Sequence, residues 1–200
     1  MSDKQVLYFF AVLSPFCNLG HPTLHEVAAR HGADLVYKPA DFFKVFEVSG
    51  GLKLHERAQQ RQAYRLIELE RWAAHRGLPL NLHPKFFPAD QTLASRMVLA
   101  ALEQGPDPGD FVFAYQRAIW EQERDIADRD TGIAIADEAG LDGHALMARA
   151  ETDEIGAQYD ANTAEAIERN LFGPPSYLYR DELFWGQDRL DFLDRALAAH

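Results

Sequence analysis

A single cysteine, Cys17, in 200 residues excludes an internal disulfide and any resident pair of redox thiols. Basic charge is also scarce: 20 Lys and Arg stand against 31 Asp and Glu, a net charge of −11. Without clustered cations the chain is not expected to bind nucleic acid or an anionic membrane surface. No apolar run approaches the ~20 residues that would span a bilayer. The first residues lack the basic, apolar and small-residue order of a secretory signal, so the expected compartment is the cytoplasm. Repeats and low-complexity segments are missing too. What remains is 47% hydrophobic and 26% charged, with 13 Phe, 7 Tyr and 3 Trp, enough apolar material for a proper core.

The order of patterns along the chain is uneven. Residues 5 to 13 form an apolar run that reads as a buried strand, 15 to 31 as a helix stopped by Gly32, and 34 to 38 as a second strand, giving a parallel β-α-β start. From about residue 53 only helical spacing is seen. The segment 57 to 76 places Ala63, Leu66, Ile67 and Trp72 or Ala73 on one face and ends at Gly77. Further helices fit 93 to 104, 111 to 124, 131 to 139, 143 to 150 and 160 to 170. After Gly173-Pro174-Pro175, two short aromatic runs, 176 to 179 and 183 to 185, read as an antiparallel hairpin, and 188 to 199 as a last helix with Leu190, Leu193 and Leu197 inward. Residues 1 to 50 and 155 to 200 would then form one α/β unit, interrupted by an all-helical insertion, 51 to 154.

Ser14-Pro15-Phe16-Cys17 joins the first strand to the first helix. Ser at N-cap followed by Pro is an ordinary helix start, but a full capping box would need Glu or Gln where Cys17 stands. The spacing is equally that of a Cys-x-x-Cys redox turn whose first Cys has become Ser. A hydroxyl there, among free backbone N–H groups at the positive end of a helix, suits an anion such as a thiolate. Cys17 itself reads as a small buried residue, with a mixed disulfide to a small thiol as the alternative. His21 and His25 have a metal-ligand spacing but no evident third ligand, and read as surface or pocket-edge residues; no metal is expected.

The β-α-β and α-β-β-α order with a Pro before the third strand resembles thioredoxin, and the helical insertion resembles the DsbA-like elaboration of it. Four blocks, Tyr8 to Phe16, Tyr64 to Trp72, Ala166 to Gly173 and Trp185 to Leu190, resemble the 2-hydroxychromene-2-carboxylate isomerase family, relatives of kappa-class glutathione transferases. The resemblance implies a thioredoxin-like α/β fold, a homodimer, glutathione as cofactor and an aromatic catabolic intermediate as substrate. It implies that Ser14 holds the glutathione sulfur, that the thiolate adds to a conjugated substrate, and that the former double bond then rotates.

The same resemblance gives Gln187 and Asp188 the γ-glutamyl end of glutathione, Arg61 a glutathione carboxylate, and Pro174 and a cis Pro175 the wall facing the sulfur. Asp188 alone would read as a helix cap, Arg61 alone as a solvated helix residue, and Arg189 as a surface or structural ion-pair residue. The chain departs from the family at Pro174, which has no N–H to donate to the ligand backbone. Ala11 stands in place of an acidic residue, and Cys17 and Asn18 in place of Ser and Tyr. Two alternatives stay open: a kappa-like glutathione transferase or peroxidase, and a redox-inactive DsbA-like binding domain.

Overall fold

A computed structural model describes residues 4–105 and 107–199. Its centre is a four-stranded mixed sheet in the order β2-β1-β3-β4. β1 (Gln5–Phe10) runs parallel to β2 (Asp34–Pro39), from Gln5 opposite Asp34 to Phe10 opposite Pro39. β3 (Ser176–Tyr179) lies antiparallel on the other side of β1, with Tyr8 opposite Tyr177, and β4 (Glu182–Trp185) closes the edge.

Both faces of this sheet are covered, which is why β1 reads as a continuous apolar run rather than an alternation. Val6, Tyr8 and Phe10, with Tyr177 and Tyr179, point into the larger core, while Phe9 and Leu178 point into the smaller one on the opposite face. The larger core is shared with α1 (Pro15–His31), with α9 (Leu190–Ala198), whose Leu190, Leu193 and Leu197 are inward as expected, and with the helical block. That block comprises α4 (Thr92–Leu102), α5 (Gly109–Trp120), α6 (Arg129–Glu138) and α7 (Gly143–Ala150). α2 (Phe42–Ser49) and α8 (Asp153–Glu168) cover the smaller core. Helix starts follow the residue chemistry: Asp128, Asp142 and Thr152 each accept the backbone N–H three residues on.

The sequence reading is corrected in four places. β1 stops at Phe10 instead of residue 13, because β2 ends opposite it and the Ser14 N–H turns back to the Ala11 carbonyl at 3.0 Å. α2 was not anticipated: its five apolar residues, Phe42, Phe43, Val45, Phe46 and Val48, fall within eight residues, too short a stretch to establish a helical period. α8 begins at Asp153, capped by Thr152, seven residues before the expected start at 160. In α3 (Gln59–Arg76) the inward stripe is Leu66, Leu69, Trp72 and Ala73, whereas Ala63 and Ile67 are exposed. Polar Gln62 and Arg65 hold the inner positions of the first turns, and hydropathy alone cannot assign such residues to the inside. The reason is that this end of α3 faces a cavity.

Candidate functional site

Ser14 caps α1 with extended backbone, φ −79° and ψ 123°, and its Oγ accepts the Cys17 N–H at 3.4 Å. The side-chain oxygen is thus used as an acceptor, which leaves the hydroxyl hydrogen to be donated. The Leu13 N–H, one residue earlier, donates to Oε1 of Gln91 at 3.2 Å, so a side chain of the helical block holds the turn that presents Ser14. Gln91 carries no motif, and only the fold could reveal it.

Cys17 is fully buried, and burial pushes its thiol up to about 12, against smaller opposing contributions from the Ser14 side chain, the Ala11 backbone and the Tyr8 side chain. A thiol so raised is protonated at neutral pH and is neither nucleophile nor redox partner. The small-buried-residue reading therefore holds, and the mixed disulfide finds no exposed sulfur.

Ser14 and Pro174 line one cavity of about 600 Å³, within the range of small-molecule sites. Its walls are mostly aromatic and aliphatic: Phe16 from α1, Phe42, Phe43 and Phe46 from α2, and Phe87 and Pro88 from the loop before α4. Lys53, His55, Arg57 and Arg65 also line it, and among the described residues no Asp or Glu does. The peptide bonds Pro174–Pro175 and Phe87–Pro88 are both cis, the first as the resemblance implied.

The other residues named for the site lie elsewhere. Gln187 and Asp188 line a separate hollow of about 300 Å³ with Thr23, Trp72 and Arg76. Gln187 is buried, and its Oε1 accepts from Arg76 Nη2 at 2.8 Å while its carbonyl accepts from the same nitrogen at 2.9 Å. Asp188 pairs with Arg189, which fits the ion-pair expectation for that Arg, and makes no side-chain cap on α9. Arg61 is exposed and lines neither hollow; its neighbours Arg57 and Arg65 face the cavity instead. His21 is buried, not superficial. Its ring stacks on Phe113 at 5.2 Å and lies 4.4 Å from the His25 ring, and burial, reinforced by His25, pushes its pKa down to about 3. Among the described residues no three His, Cys, Asp or Glu side chains are grouped to hold a metal ion.

Residues 5–198 match the family of DSBA-like thioredoxin domains. A curated protein of Sphingobium xenophagum, 2-hydroxychromene-2-carboxylate isomerase, is 30% identical over 97% of this chain and 98% of its own length. The chain belongs to this isomerase family of DSBA-like thioredoxin proteins. A Pseudomonas putida member named 2-hydroxychromene-2-carboxylate isomerase is 28% identical over 95% of this chain and 92% of its own length. The family fold is seen in a solved structure of 2-hydroxychromene-2-carboxylate isomerase, with a TM-score of 0.79 and 24% identity over 98% of this chain and 95% of that one.

Proposed function

We propose that the protein is a glutathione-dependent cis–trans isomerase of the 2-hydroxychromene-2-carboxylate type, with Ser14 as the residue that holds the thiolate. One observation carries this reading. The helix-capping hydroxyl opens on a large, aromatic-walled cavity lined by cations and, among the described residues, by no carboxylate, beside a thiol too buried to act. The near full-length kinship with proteins named for that isomerisation supports the choice of reaction.

The residues present fit a thiol cofactor at the turn. The Phe16 N–H and the dipole of α1 favour negative charge there, since Pro15 has no N–H and those of Cys17 and Asn18 are bound to Ser14, and the Ser14 hydroxyl adds a donor. Glutathione, when bound, supplies the nucleophile that lets a conjugated double bond turn. The chain's part is to lower the thiol pKa, to hold a flat substrate between Phe16, Phe42, Phe46 and Phe87, and to exclude water from the reacting atoms. Pro174 contributes wall and carbonyl without an N–H donor.

The test is a glutathione titration followed by calorimetry and by the ultraviolet absorbance of the bound thiolate against pH, with turnover of 2-hydroxychromene-2-carboxylate measured alongside. Ser14→Ala is expected to raise the bound thiol pKa by about 1–2 units and to cut kcat/KM by about 10–100-fold, the worth of one hydrogen bond to a charged group. Unchanged pKa and turnover would remove Ser14 from the role. Pro174, together with a Gln187 oxygen already engaged by Arg76, favours a second reading, a redox-inactive binding domain. Absence of glutathione binding at millimolar concentration selects it.

A further inference from the structure

Arg65 stands on the second turn of α3 at the wall of the large cavity, half-buried. Its guanidinium carbon lies 5.6 Å from the Phe87 ring centre and 6.0 Å from that of Trp120. Among the described residues no acceptor bonds to it and no carboxylate pairs with it, and the charge that acts on it is another cation, Arg57. Burial first, and Arg57 second, push its pKa down to about 10, so both guanidinium groups are still charged at neutral pH. Arg57 spends its Nε on the Leu52 carbonyl at 2.9 Å, and no other acceptor bonds to its guanidinium among the described residues.

This is an unusual distribution for a chain with 31 acidic side chains and 20 basic ones. Acids pair eight of the other 13 Arg residues: Arg30 with Asp194, Arg117 with Glu121, Arg124 with Glu138, Arg129 with Glu151, Arg149 with Glu103, Arg169 with Glu165, Arg189 with Asp188 and Arg195 with Asp191. A guanidinium taken partly out of water beside a second one is costly unless an anion joins them. Arg65 lies beside the Phe87 and Trp120 rings and lines the cavity with no acceptor on its N–H groups among the described residues, and a planar carboxylate can accept two parallel bonds from such a fork.

We infer that Arg65, with Arg57 behind it, is a carboxylate subsite of this cavity, taking the acid group of a flat, apolar organic anion whose body lies among Phe42, Phe46 and Phe87. The inference rests on the cavity being the substrate site. It assigns Arg65 a positioning role: the acid group anchored at α3 fixes which part of the ligand lies against Ser14. Glutathione also carries carboxylates, so the two sources must be separated by experiment.

The probes are 1-naphthoate, its neutral amide 1-naphthamide, and glutathione, each titrated calorimetrically and by tryptophan fluorescence, for which Trp120 next to Arg65 is the reporter. The wild type is expected to prefer the acid over the amide by about 10-fold or more, the range of charge-assisted bonds. Arg65→Met, which keeps the stem against Phe87 and Trp120, is expected to abolish that preference while changing amide and glutathione binding less than about twofold. Arg65→Lys should restore part of it. Arg57→Gln, at the cavity rim, should lower the preference by about threefold, and it carries the test if Arg65→Met does not fold.

Equal affinity of the wild type for acid and amide overturns the subsite, and so does an equal loss of both in Arg65→Met. A loss confined to glutathione overturns the assignment to the substrate, because the pair would then serve the cofactor. Retained discrimination between acid and amide in a protein that binds no glutathione would sink the glutathione reading and leave the carboxylate subsite standing.

Discussion

Cys17 and Ser14 lie three residues apart on one turn and have opposite fates. The sulfur is fully buried and its thiol is raised to about 12, while the hydroxyl caps α1 beside the cavity. The native protein is therefore expected to leave Ellman's reagent unreacted at pH 8 and to release one equivalent of thiol only on unfolding in guanidinium; fast reaction of the folded protein would contradict the burial. Ser14 was legible because strand, turn and helix chemistry coincide at one place in the chain. Gln91 and Arg65 were not: each acts through a contact far away in sequence, Gln91 on Leu13 and Arg65 on Phe87 and Trp120. Arg61 shows the complementary case, since a motif match fixes a residue's neighbourhood but not its exposure, and Arg61 lines neither hollow. Arg57, which precedes α3, and Arg65 on its second turn line the cavity, while Arg61 on the first turn is exposed.

At the scale of elements, α3 links the two hollows. Its first turns bring Gln62 and Arg65 to the larger one, and its last turns bring Trp72 and Arg76 to the smaller. Arg76 also binds the α1 residue Thr23, so one guanidinium joins α1, α3 and the 3-10 turn Gln187–Arg189. Arg76→Met would strand the buried Gln187 amide oxygen and is expected to cost about 1–3 kcal/mol, read as a lower urea midpoint with unchanged slope. Gly20 is part of the same joint, because a Cβ there would sit 2.8 Å from the Gln187 Cβ and 3.2 Å from the Tyr177 hydroxyl. Gly20→Ala should lower the melting temperature by several degrees, the signature of about 1–3 kcal/mol of overpacking. The long helices were legible from caps and glycine stops. α2 was missed because its residues serve two surfaces at once: Val45 fills the small core, Phe43 faces the cavity, and Phe42 and Phe46 belong to both.

For the whole molecule, His21 and His25 join the α/β unit to the helical block. His21 stacks on Phe113, and His25 meets the Tyr37 hydroxyl at 3.1 Å, which in turn donates to Asp107 at 2.6 Å. The His21 pKa is depressed from its ordinary 6.5 to about 3, so the unfolded chain takes up a proton at a pH where the folded one does not. Its contribution is fully present above about pH 6.5 and is lost as pH falls towards 3. Burial lowers the His25 pKa as well, in the same direction, with Asp107 and Asp110 opposing. His21→Phe is expected to lose about 3 kcal/mol less stability than the wild type between pH 7 and pH 4, measured by urea unfolding at each pH; identical slopes would mean that His21 titrates normally. The fold class was readable from element order alone, whereas the joint was not, since it depends on which helix faces which. The sheet order β2-β1-β3-β4 has a consequence for synthesis. β1, made first, has β2 on one side, but its other edge is left bare until Ser176–Tyr179 emerges more than 160 residues later. Through most of translation the ribosome therefore carries a chain with an open, aromatic strand edge, and a nascent chain stalled before Ser176 is a ready template for strand-to-strand aggregation.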